Sequence, residues 1–220
     1  MATADSPTAT KRLLAVCDIL KSEAAECVDV RVMLLQKIVA LPPDEWWAIA
    51  HLELADVELS MGRAAEAATH ASAALTNAAN VSDVLKARAV ITLATADQDR
   101  ERPVELQSLE AAVACARDAQ ADCVIIGLHI LAFEHLFHDA VEQGRAEITE
   151  HVVLTVKRFG ADSVDEALAW RTAAFFEWKA GERARALRHI ETGLACSALQ
   201  ASGAGTSARS SLEKLRARIG

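Results

Sequence analysis

Ala167-Leu-Ala-Trp170-Arg171-Thr-Ala-Ala174-Phe175-Phe-Glu-Trp178-Lys179-Ala-Gly181-Glu-Arg-Ala-Arg-Ala186 reads as a helix, a tight turn and a second helix. Small residues sit where two helices would have to touch. A second stretch repeats the layout around Gly62, with Ala48, Ala55, Ala67, Ala74 and Leu75. Measured from its glycine, each stretch carries Ala at −14, −7 and +5. Self-similarity at fixed offsets is the mark of a repeat architecture, whose units stack to bury faces that no single unit can bury alone.

The rest of the chain agrees with an all-helical reading. Of 220 residues, 52% are hydrophobic and only 4% aromatic, with no Tyr. The apolar fraction is mostly Ala, Leu and Val, and Ala and Leu are strong helix formers. Only four prolines and nine glycines interrupt it. A chain of this length buries enough surface to fold without a disulfide or a structural metal. The five cysteines, Cys17, Cys27, Cys115, Cys123 and Cys196, are odd in number and lack C-x-x-C spacing. That pattern fits free thiols in a reducing compartment. The net charge is −8, so the body shows no basic stripe of a nucleic-acid binder. Residues 200–220 depart from this, with Arg209, Lys214, Arg216 and Arg218 against Glu213. Met1 to Thr10 lacks the pattern of a secretory signal. The longest apolar run, Cys123 to Phe133, is too short to cross a bilayer. A cytoplasmic location is expected.

Turn signals organise the chain. Residues 1–7 are expected to be a flexible lead, 8–199 a helical-repeat domain, and 200–220 a flexible joint with a short basic helix at 208–218. Helices are expected at 8–25, 28–41, 44–61, 64–78, 81–97, 104–119, 121–142, 145–159, 163–180 and 182–199. The first two break at Cys27 or Asp29, or form one bent helix. Pro42-Pro43-Asp44 stops one helix and starts the next. Ser82 is a candidate N-cap. Gly144, Gly160 and Gly181 are expected to end helices in the left-handed conformation. The markers Gly62, Pro103, Gly144 and Gly181 suggest hairpins at a loose period of about forty residues.

These residues resemble the tetratricopeptide repeat. The best match is 167–194, with Trp170 at the first-helix aromatic position, Ala174 and Ala186 at the small positions and Gly181 in the turn. In 48–75, His51 replaces the aromatic and Glu58 stands where the family often has Tyr; in 130–157 only Phe133 and Gly144 fit. Glu142-Gln-Gly-Arg145 and Ala169-Trp-Arg171 are similar to features in the helical-repeat arms of bacterial signal-transducing ATPase transcription activators. The resemblance implies an all-α fold: a right-handed α-solenoid of antiparallel helix hairpins. It also implies that Arg171, Phe175, Trp178 and Lys179 lie on a concave first-helix face. Phe175 and Trp178 suit structural packing as well as binding.

One stretch is dense in ligand-type side chains. Glu134, His138 and Glu142 are spaced i, i+4, i+8, which on a continuous helix would give one face. Such a face could bind zinc or hold a general base, but no second ligand-bearing motif accompanies it. Cys123 and His129 do not share a helix face. No nucleophile elbow, phosphate loop or dinucleotide fingerprint is present. Trp46-Trp47 reads either as a staple packing the start of its helix or as an exposed anchor.

The function expected is binding rather than catalysis. The expected partner is another protein or a peptide, with no nucleic acid, membrane or cofactor; association with a second copy stays open. The partner-binding residues are Asp56, Glu134, His138, Glu142, Arg171, Phe175, Trp178 and Lys179. The cationic and aromatic residues would favour apolar and acidic groups, and the three carboxylates basic ones. Two alternatives are a sensor arm that binds a small ligand and acts on transcription through a partner, and a metal-dependent enzyme using Glu134, His138 and Glu142.

Overall fold

A computed structural model describes residues 11, 13–15, 17, 28–40, 45–76, 81–200 and 203–220. Among them there are α-helices, one short 3-10 helix and no strand. The chain divides into two compact units, Met1–Cys123 and Val124–Gly220. The lead at 1–7, Cys27, the Pro42-Pro43-Asp44 break and Ser202 lie outside the described residues, as does most of the first expected helix. No helix among the described residues is long and apolar enough to cross a membrane.

The first unit carries α1 (Val28–Val39), α2 (Glu45–Ser60), α3 (Ala64–Thr76), α4 (Asp83–Asp99) and α5 (Leu106–Asp118). Each packs against the next, and α2 also touches α4. Its helices meet through small residues: Ala55, Ala67, Ala68 and Ala96 form one cluster, and Ala48, Ala74 and Ala89 join Trp47 and Leu52 in another. Trp47 is buried and its indole nitrogen donates to the Val39 carbonyl at 2.9 Å, so this ring packs the start of α2. Ser82 caps α4 as expected, accepting from the Leu85 amide.

The second unit holds α6 (Cys123–Phe137), α7 (Val141–Phe159), α8 (Val164–Lys179), α9 (Arg183–Ala195), a 3-10 turn (Ser197–Gln200) and α10 (Ala204–Ile219). α8 lies at its centre, against α7, α9 and α10. Ala167, Ala174 and Ala186 are fully buried in the core that α8 shares with α9 and α10. A Cβ on Gly193, near the end of α9, would stand 3.2 Å from the Ala167 carbonyl at the start of α8. The two helices therefore run antiparallel.

Five turns between helices share one device. At Gly62, Glu101, Gln120, Asp139 and Gly181 the backbone is left-handed, with φ of 71°, 54°, 53°, 60° and 84°. In each, the residue's N–H bonds back to the carbonyl three before it, and the next N–H reaches the carbonyl five before it. This double closure is the Schellman motif. Gly62, Glu101, Asp139 and Gly181 are 39, 38 and 42 residues apart, and Gln120 falls midway between the second and third of them. A Cβ at Gly62 or Gly181 would touch nothing, so glycine serves backbone conformation there.

Two expectations are corrected. Gly144 ends no helix. It lies buried in the first turn of α7, where a Cβ would stand 2.6 Å from the Ala132 carbonyl and 2.8 Å from the Phe176 ring. Its role is close approach between helices, and the turn falls at Asp139, a residue type that tolerates the left-handed region. The Gly/Ser-rich segment is also more helical than its composition suggests, since α10 begins at Ala204. Gly205 is buried, and a Cβ would stand 2.4 Å from the Ala198 carbonyl, so this glycine too permits a close crossing.

Candidate functional site

α6 and α8 of the second unit present a ladder of rings. His129 meets Phe133 edge-on at 5.4 Å, Phe133 lies 5.7 Å from Phe175, and Phe175 lies 5.7 Å from Trp178. The spacing explains the alignment: 129 and 133 are one turn apart on α6, and 175 and 178 nearly one turn apart on α8. Phe175 and Trp178 are half-buried, with one side packed against the core of α8, α9 and α10.

Cations interleave with these rings. The Lys179 ammonium lies 5.5 Å from the Phe175 ring and 5.4 Å from Trp178. The Arg218 guanidinium, brought in by α10, lies 5.2 Å from Trp178. Arg171 sits one turn before Phe175, and its buried Nε has no hydrogen-bond partner among the described residues. Burial, then His151 at 5.8 Å between ring centroids, then the Arg171 charge, push the His129 pKa down to about 4. That ring is neutral near pH 7. Two other partly buried arginines find acids: Arg88 bonds Glu53 and Asp56 at 2.7 Å, and Arg145 bonds Glu177 at 2.8 Å. Among the described residues, neither Arg171, Lys179 nor Arg218 pairs with a carboxylate.

The structure thus brings together Arg171, Phe175, Trp178 and Lys179. It does not bring together Glu134, His138 and Glu142. Helix α6 stops at Phe137, so the expected i, i+4, i+8 face is broken by the turn. Glu134 is buried in α6, and burial raises its pKa above the usual carboxylate range, with His138 opposing the shift. His138 is exposed in the turn. Glu142 is exposed on α7 and pairs with Arg145. Among the described residues, no group of three or more His, Cys, Asp or Glu side chains is arranged to hold a metal. Asp56, in the first unit, is taken up by Arg88.

Sequence reasoning missed Arg218, Phe133 and His129 as members of the face. Arg218 lies far along the chain from α8, and no local spacing links it to Trp178. Its only signal was the basic excess of the tail. It also missed a second correspondence between hairpins. Four residues before and eight after the left-handed residue stand Glu58 and His70, His135 and Glu147, and Glu177 and His189. His135 and Glu147 bond at 2.8 Å, while Glu58 and Glu177 act on their histidines through charge.

The fold is similar to that in the crystal structure of BtubC (BKLC) from P. vanneervenii, with a TM-score of 0.59 and 14% identity over 98% of this chain and 90% of that one. At this identity the likeness concerns the helical fold. No protein-family model matches the chain, and no curated protein matches it.

Proposed function

We propose that this chain is a non-enzymatic binding protein of the tetratricopeptide-like kind, a stack of antiparallel hairpins whose α6/α8 face takes an acidic peptide segment carrying an apolar side chain. One observation carries the reading: Lys179 and Arg218 stand against aromatic rings, with Arg171 on the same helix as Lys179, and among the described residues none of the three has a carboxylate partner, in a chain of net charge −8. A cation left unpaired beside apolar surface has an open demand that an incoming carboxylate meets, and arginine meets it with paired donors. Rings already held by packing lose little freedom on binding, so an apolar side chain against Phe175 and Trp178 adds affinity cheaply.

The test is selection from a random twelve-residue peptide library on the immobilised protein. Enriched sequences should carry Asp or Glu flanking an apolar residue, and the double variant Arg171→Glu/Lys179→Glu should not retain them. Enrichment of basic peptides, or no enrichment over bare support, rejects the reading.

A further inference from the structure

A groove of about 350 Å³ opens among α7, α8 and α9 of the second unit. That volume is at the small end of the range for ligand sites, which are apolar cavities with a few placed polar groups. Ile148, Val152 and Val156 from α7 form one wall, Trp170 and Ala173 from α8 the floor, and His189 from α9 the other side. Positions 170, 173 and 177 of α8 face this groove, whereas 171, 175 and 178 belong to the ring ladder. The two sites are therefore distinct surfaces of one helix.

The charges in the wall are already balanced. Arg145 donates to both Glu177 oxygens at 2.8 and 3.2 Å and also pairs with Glu142. The groove offers a further ion little. His189 is different. Its ring stacks on Trp170, with centroids 5.3 Å apart and planes 21° from parallel. The Trp170 indole N–H is engaged by Glu166 at 3.1 Å and cannot serve it. Among the described residues nothing hydrogen-bonds the His189 ring.

The matching hairpin of the first unit makes this informative. Eleven residues before the turn glycine stand His51 and Trp170, and eight after it stand His70 and His189. His51 and His70 bond to each other, Nδ1 to Nδ1, at 2.8 Å. The same imidazole position is satisfied in one hairpin and open in the other, where it borders a cavity.

We infer that the α7/α8/α9 groove binds a neutral, flat, largely apolar small molecule that stacks beside Trp170 and makes one hydrogen bond to the His189 ring. A neutral ligand fits because the wall charges cancel. A flat one fits because the Trp170/His189 pair supplies an aromatic edge, and offset or edge contacts between rings are favoured. One polar group suffices because His189, half-buried at the groove, is the ring in the wall that no described residue hydrogen-bonds.

The test uses N-phenyl-1-naphthylamine, a neutral fluorescent probe with a single N–H. Its emission should rise saturably with a stoichiometry near one per chain. His189→Phe keeps the stack and removes the acceptor; it should weaken the probe by about fivefold. Thr149→Trp and Val153→Trp, at exposed positions on the groove rim, should each weaken it by about tenfold or more without lowering the melting temperature. His70→Phe, at the matching position of the first unit, should leave probe affinity unchanged. Non-saturable emission overturns the inference, as does affinity that neither rim variant changes or an unaltered His189→Phe.

Discussion

The hairpins around Gly62 and Gly181 share a scaffold and differ in what they leave open. Both bury Ala at −14, −7 and +5, and both close with the same pair of turn hydrogen bonds. In the first, polar groups answer each other: His51 bonds His70, and Glu53 holds both Arg31 and Arg88. In the second, Trp170 replaces one histidine, and among the described residues no acid reaches Arg171 or Lys179. Positions that set helix contact are therefore held by geometry. Positions between them can be closed among themselves or left to a partner.

The contrast breaks most visibly at the buried acids. Glu177 is 2% exposed, so Glu177→Ala removes the buried acid to which Arg145 donates twice, leaves that guanidinium only the exposed Glu142 among the described residues, and should cost about 2–3 kcal/mol in urea denaturation. Glu58→Ala should cost clearly less, because its partner Arg63 is exposed and can turn to water. Equal losses would mean that the two hairpins use this position alike.

The shared scaffold is probed by Ala55→Leu and Ala174→Leu, at residues with no exposed surface. Overpacking should lower stability by about 1–3 kcal/mol in each case. Ala186→Leu should behave the same way. An unchanged urea midpoint at either Ala55 or Ala174 would break the equivalence of the two hairpins.

Acid should act more strongly on the first hairpin, which holds two histidines with lowered pKa, than on the second, where burial lowers that of His189. Burial, then the His70 charge, lower the His51 pKa to about 4, and burial likewise lowers His70. A histidine with a depressed folded pKa gives stability that is present above its unfolded value near 6.5 and lost as pH falls toward 4. At pH 5 the His51 contribution to this loss should be roughly 2 kcal/mol. Segment-resolved hydrogen exchange should show α2 and α3 opening more readily as pH falls, and His51→Phe/His70→Phe should remove most of that response. A response unchanged in the double variant would place the acid-sensitive groups elsewhere.

Much of the helical order was legible because glycine and small-residue spacing act locally. The Gly181 hairpin followed from its own twenty residues. The α6/α7 turn did not, because Gly144 looks like a terminator, and only the Ala132 carbonyl and Phe176 ring reveal it as a crossing residue. The same error carried Glu134, His138 and Glu142 onto one face that the turn at Asp139 breaks. Arg171, Phe175, Trp178 and Lys179 were legible together because they lie on one helix. Arg218 and the open His189 ring were not, since both depend on contacts between separate helices.

The smallest effect on folding comes from reversing the open cations, and it gives the most direct test of the peptide reading. Arg171→Glu/Lys179→Glu should change stability by no more than about 1 kcal/mol, because among the described residues neither charge has a carboxylate partner to lose and the main contacts given up are those of Lys179 with two half-buried rings. Calorimetric titration should then compare one acidic peptide selected on the parent protein with its copy carrying Lys in place of every Asp and Glu. The account predicts that the parent prefers the acidic peptide and the double variant the basic one, since like charges across an interface repel. A double variant that still prefers the acidic peptide, with undiminished affinity, would contradict it.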